Sequence, residues 1–212
     1  MSTLSTVITA DIVNSGITSP QQLAKRLEES ICSAQPEAIV FFYRGDSFQV
    51  YVPNAFEAYR LALKLRIEAI LFENSSPAAH TDLRISMGIG TVSLPITELA
   101  TAQGEAFVLS GRGFDALEKT DRRLKMHCSH IPSRIALEAI SLFTDYLFRS
   151  LTIKQAAVLN HMLDHRTQFE TALLLKKSQS TVNKHVRNMG WRQMEELMDL
   201  YDKCIQQIKQ HG

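Results

Sequence analysis

Asp11 and Asp46 are the two carboxylates whose surroundings suit chemistry on a phosphate. Asp11 lies near the end of the β-branched run Val7–Val13, just ahead of the turn-prone Asn14-Ser15-Gly16. Asp46 stands in Arg44-Gly45-Asp46, a spacer short enough to join the runs 38–43 and 47–52 as a hairpin. With the two runs as neighbours in one sheet the carboxylates converge. Two carboxylates, completed by waters and substrate phosphates, suffice for Mg²⁺. The backbone N–H groups of the turn at Asn14 and Ser15 point outward, placed to hold phosphate oxygens. Arg112 sits in the segment from Gly104 to Arg112, one helix face away from Gly104, and adds a cation able to offset charge on a phosphoryl group. His127-Cys128-Ser129-His130 has the residue types of a metal cluster but the wrong spacing. Alternate residues of a strand point to opposite faces, and no second Cys/His pair lies nearby.

A second constellation lies near the C-terminus. Between residues 171 and 194 the chain carries Lys176, Lys177, Lys184, Arg187 and Arg192 and no acid. Ala172 and Leu175 share one face of a short helix, and Ser178 is placed to cap the next. Val182, Val186 and Met189 form the buried row of that second helix, and Gly190 ends it. Its other side presents Gln179, Ser180, Thr181, Lys184, His185, Arg187 and Asn188, with Lys177 and Ser178 just ahead. Hydrogen-bonding and basic side chains on one helix face suit base edges and phosphates of double-stranded DNA.

The elements that must position these groups are legible in the periodicity. Val7–Val13 reads as a strand. Ser19-Pro20-Gln21-Gln22 opens a helix whose stripe is Leu23, Leu27 and Ile31. The hairpin follows, then an Ala- and Leu-rich helix to about Phe72. Leu83, Ile85, Met87 and Ile89 alternate with Arg84, Ser86, Gly88 and Gly90 in a period-two strand. A helix over 104–118 and a short strand over 124–128 complete the unit. The order β-α-β-β-α-β, then α-β, predicts an α+β, ferredoxin-like domain with one extra layer, two helices on one face and the other face partly open. From Ser133 the pattern is helical only: a linking helix over 133–148, a capping box at Thr152-Ile153-Lys154-Gln155, the helix pair above, and an amphipathic helix after Trp191. The expected division is therefore residues 1–131 and 132–212.

On these segments the chain resembles the class III nucleotide cyclase fold. More narrowly it resembles the SatD family, with its "Ile-x-x-Asp-Ile-Val-Asn-Ser" start at Ile8–Ser15 and "Gly-Asp-x-Phe-Gln" hairpin at Gly45–Gln49. The strand from Arg84 to Gly90 and a helix-turn-helix after a linker also fit, so the likeness spans nearly the whole chain. Residues 152–192 resemble the helix-turn-helix of bacterial regulators and sigma-type domains. The resemblance implies that Asp11 and Asp46 correspond to the metal carboxylates of cyclases and Arg112 to the transition-state arginine. It equally implies two losses: Val108 stands where an asparagine is expected, and Phe41 and Phe42 where a base-selecting lysine is. What survives is metal–phosphate binding, Mg²⁺ with a nucleotide, without cyclisation. Because cyclases assemble the site between two subunits, a homodimer is implied as well.

Composition narrows the class. Apolar residues make up 45% and charged residues 21% of the 212, ordinary for a folded soluble chain. No apolar run is long enough for a membrane span, and the N-terminus has no secretory pattern. Cys32, Cys128 and Cys204, odd in number and far apart, suit reduced thiols in a cytoplasm. Residues 151–212 hold nine Lys/Arg against six Asp/Glu, whereas residues 1–150 hold fourteen against sixteen. The expectation is a cytoplasmic, bacterial-type DNA-binding regulator with a non-catalytic cyclase-like domain for sensing or dimerisation. Its rivals are a metal-dependent nucleotide-binding or phosphoryl-transfer enzyme acting at Asp11 and Asp46, and a partner-binding scaffold.

Overall fold

The computed structural model describes residues 4–13, 20–43, 46–72 and 81–211. Strand β1 (Leu4–Val13) leads to helix α1 (Pro20–Ala34), the hairpin β2 (Ile39–Tyr43) and β3 (Ser47–Val52), and helix α2 (Ala58–Leu71). Strand β4 (Asp82–Thr91), helix α3 (Glu105–Leu117) and strand β5 (Leu124–His127) complete the mixed part. Helices α4 (Ile131–Arg149), α5 (Ile153–Leu163), α6 (Gln168–Leu174), α7 (Gln179–Asn188) and α8 (Trp191–His211) follow. The capping residue expected at Ser19 lies outside the described residues.

The sheet runs β2-β3-β1-β4-β5, with β1 antiparallel to both β3 and β4 and β5 parallel to β4. That is the split β-α-β-β-α-β order with one strand added beside β4. Alternation along β1 sorts its side chains: Ile8, Ala10 and Ile12 join the large core with α1 and α2, whereas Val7 joins a smaller cluster with Tyr51 and Ala106. Helix α3 therefore lies on the second face. The extra layer has a visible cause in β4, where a Cβ on Gly88 would stand 2.1 Å from the Ala106 carbonyl oxygen and 2.5 Å from the Ser110 nitrogen. Only glycine lets the helix approach that closely.

Helix α2 buries eleven of its fourteen residues, including Arg66 and Glu68. It is covered on both sides, by the sheet and by the later helices, and its polar row Arg60, Lys64 and Glu68 is taken up by the Leu163 carbonyl, Asp164, Asn160 and Arg26. One apolar cluster continues from β1 and β4 through α2 into α4, α5 and α8, across the change of pattern near residue 131. Polar ties reinforce it. The Tyr201 hydroxyl donates to the Ala55 carbonyl at 2.8 Å, the Tyr59 and Thr144 hydroxyls lie 2.6 Å apart, and Arg60 donates to the Leu163 carbonyl. Arg66 carries the densest of them. Its Nε and Nη2 donate to both Asp82 oxygens at 3.0 and 2.7 Å, and its Nη1 donates to Asp145 at 2.9 Å. The Phe148 ring lies 4.3 Å from the guanidinium carbon. Among the described residues no helix is long and apolar enough to cross a membrane.

Candidate functional site

The first cluster forms at the end of β1. The strand pairing sets Asp11 opposite Ser47 on β3 and Arg84 on β4, all on the α3 face of the sheet. Asp46 precedes Ser47 directly. Its backbone carbonyl accepts from the Ile12 N–H at 2.9 Å, and its Oδ1 accepts from the Ser47 hydroxyl at 3.3 Å. Arg84 reaches between two acids, with Nε 3.7 Å from Asp11 Oδ1 and Nη1 3.8 Å from Glu118 Oε1. Further in, Gln49 donates to the Thr9 hydroxyl at 3.2 Å, which donates to Ser110 on α3 at 3.1 Å.

The Asp11 carboxyl is held above its ordinary range. Burial is the main cause; the charges of Glu118 and Asp46 add to it, while Arg84 and Arg123 oppose it. Asp11 Oδ1 is buried and accepts no hydrogen bond from the described residues. A buried carboxylate oxygen with no hydrogen bond, within electrostatic reach of a second carboxylate, matches in donor type a hard oxygen-seeking dication. Helix α3 also brings its C-terminal end, the negative end of the helix dipole, to this spot through Glu118, which favours a cation. Arg84 already supplies positive charge to the same oxygen, so a dication there competes with a guanidinium. Among the described residues no group of three or more His, Cys, Asp or Glu side chains is placed to hold a metal.

Arg112 is exposed on the flank of α3, off the row Ala106, Ser110, Gly113 and Leu117 that meets the sheet. Arg84, rather than Arg112, is the arginine set against Asp11. Asn14 and Ser15 lie outside the described residues. Sequence reasoning gave no role to Arg84 or Glu118, although the alternation of β4 had already put Arg84 on the side of the sheet away from Leu83 and Ile85. His127 and Cys128 diverge as alternation requires. His127 meets α3, and its imidazole is held below its ordinary pKa by burial. Cys128 is buried, and its thiol donates to the His130 carbonyl at 3.3 Å.

The second candidate is α7. A capping box joins Thr167 and Glu170 at the start of α6, and Thr171 and Ala172 of that helix are buried. The chain turns through Leu175–Ser178 with Lys176 at φ 52°, while the Lys176 and Lys177 N–H groups close on the Leu173 and Ala172 carbonyls. Ser178 caps α7 by accepting from the Thr181 N–H at 3.2 Å. Val182, Val186 and Met189 are buried and Gly190 takes φ 73°, ending the helix. Lys177, Ser178, Gln179, Ser180, Thr181, Lys184, Arg187 and Asn188 are exposed, and His185 is half-buried. Asn183, absent from the expected set, is also exposed and donates to Gln168 on α6 at 3.2 Å.

The sequence matches no known protein family and no curated protein. Among solved structures it is similar to the active GGEEF domain of a diguanylate cyclase from Vibrio cholerae, at 15% identity and TM-score 0.42, covering 59% of this chain and 83% of that one. It is also similar to a bacterial light-regulated adenylyl cyclase, at 14% identity and TM-score 0.41, covering 59% of this chain and 43% of that one. These likenesses are loose. The assignment of an α+β, ferredoxin-like unit rests on the strand order and pairing given above.

Proposed function

We propose that this chain is a cytoplasmic DNA-binding transcriptional regulator whose mixed domain, about residues 1–131, senses a nucleotide or other phosphorylated ligand or joins subunits, without catalysing a reaction. The observation that carries the reading is the two-sided character of α7. One row of the helix is anchored in the core by Val182 and Val186, while the opposite side, with Lys184, Arg187 and Asn188, is exposed, as is Gln179 in the first turn. A rigid rod held from behind with hydrogen-bonding groups in front is what a major groove accepts. The motifs Ile8–Ser15 and Gly45–Gln49 support membership of the SatD family. The departures at Val108, Phe41 and Phe42 support loss of cyclisation.

A second reading keeps metal-dependent phosphoryl chemistry at Asp11 and Asp46. It draws on the Asp11 oxygen that accepts no hydrogen bond and on the charge of Asp46 acting on it. Mg²⁺ bound there would polarise a phosphoryl oxygen, and the chain's own contribution would be to hold and orient it. One set of samples separates the two. In a gel-shift series against genomic fragments at several salt concentrations, the regulator reading expects some fragments to bind at least about 100-fold tighter than random DNA. Lys184→Ala/Arg187→Ala should abolish that preference and flatten the salt slope by about two ions. No preferred fragment, together with Mg²⁺- or Mn²⁺-dependent turnover of ATP or GTP lost in Asp46→Ala, would replace the first reading with the second.

A further inference from the structure

Helix α4 carries an apolar face that no described residue covers. Ile131, Ile135, Leu142 and Tyr146 are 59, 68, 52 and 68% exposed, and Phe143, stacked on Tyr146 at 5.8 Å, is 42% exposed. Spaced by four, seven and four residues, the first four lie on one side of the helix over about 22 Å. The opposite side, with Ser133, Leu137, Ile140, Ser141, Thr144 and Phe148, is buried against the rest of the chain. At about 150–250 Å² per large side chain, the exposed fractions leave about 450–700 Å² of apolar surface along one helix side, at or above the largest patch a soluble chain normally shows to water.

We infer that this face is the contact between two copies of the chain, with α4 lying antiparallel on α4 of the second copy. The residue spacing itself carries the argument. A two-fold contact requires a surface complementary to itself. About an axis between Glu138 and Ala139, Ile131 falls opposite Tyr146 of the second copy and Ile135 opposite its Leu142. At the axis Ala139 is small, and the Glu138 carboxylate is neutralised within its own chain by Arg122. Two such faces together remove about 900–1,400 Å² from water, which reaches the lower part of the range of stable interfaces. The inference is independent of any role of α7, although a two-fold dimer brings two copies of that helix into one assembly.

The test is sedimentation equilibrium of the full chain. The wild type should run at twice 23.9 kDa at micromolar concentration. Ile135→Lys and Leu142→Glu should each raise the dimer dissociation constant at least about 100-fold, with unchanged circular dichroism because both positions are exposed. Combined in one chain, the two substitutions set the introduced ammonium of one copy opposite the introduced carboxylate of the other, twice per dimer. The double variant should then regain at least about tenfold of the lost affinity. Within one helix the two positions are seven residues apart, so the recovery reports the antiparallel register. A wild type that stays monomeric at about 100 µM, a dimer indifferent to both single changes, or a double variant no tighter than the singles would each overturn the inference.

Discussion

Arg66→Ala is the perturbation whose cost is best fixed by the structure. The guanidinium is 2% exposed and makes three charge-assisted hydrogen bonds, two to Asp82 and one to Asp145. Burial alone would make its charge expensive, and the two carboxylates more than reverse that, holding its pKa above the ordinary value. Removing it does not strip both acids equally. Asp145 keeps the backbone N–H groups of Arg123 and Leu124 and has Arg122 at 3.6 Å, whereas Asp82 keeps the Leu83 N–H alone among the described residues. Breaking a buried ion pair costs about 3–5 kcal/mol, and one well-supported partner places this case near about 3 kcal/mol. With an m-value of about 2–3 kcal/mol/M for a chain of this size, the urea midpoint should fall by about 1–1.5 M. Arg66→Lys keeps the charge but not the fork, and should lie between wild type and alanine. Equilibrium urea unfolding read by tryptophan fluorescence and circular dichroism together makes the measurement. A midpoint shift below about 0.3 M for alanine, or a lysine variant indistinguishable from wild type, would refute the assignment of Arg66 as the tie between sheet and helices.

Two further changes probe local features. Lys176→Gly should raise stability by about 0.5–1 kcal/mol, because it relieves the left-handed backbone at φ 52° at the end of α6; a fall in melting temperature would show that the lysine side chain stabilises the turn more than its backbone costs. Asp11→Asn should raise the melting temperature at neutral pH, since burial makes the charged carboxylate unfavourable in the fold. The sign follows from linkage: a carboxyl whose folded pKa is raised destabilises the fold above that pKa and does not do so below its ordinary value of 3.8. The advantage of the asparagine variant should therefore shrink as the pH falls toward that value, and a gap that widens in acid would contradict the buried-charge account.

The sequence by itself determined the elements. Period-two alternation in β1 and β4, the hairpin spacing around Asp46, the capping box at Thr152 and the Ser178 cap are all local signals, written within a few residues of where they act. The glycines of β4 alternate with its apolar residues in the sequence, but that α3 covers the face expected to stay partly open is seen only in the fold. What only the tertiary structure decided are the meetings of distant residues. Arg66 reads as one cation in an apolar helix until Asp82 and Asp145, sixteen and seventy-nine residues away, close on it. Arg84 faces Asp11 because two strands seventy-three residues apart pair antiparallel in one particular register. The polar row Arg60, Lys64 and Glu68 of α2 reads locally as a solvated face, and only the fold shows it meeting Asn160, Leu163 and Asp164. The α4 face shows the converse. Its apolar residues read like any linking helix, and only the placement of the other elements reveals that they are left in water. Local preference fixes secondary structure at short range, whereas burial and charge pairing belong to the whole chain and exist only once it has folded.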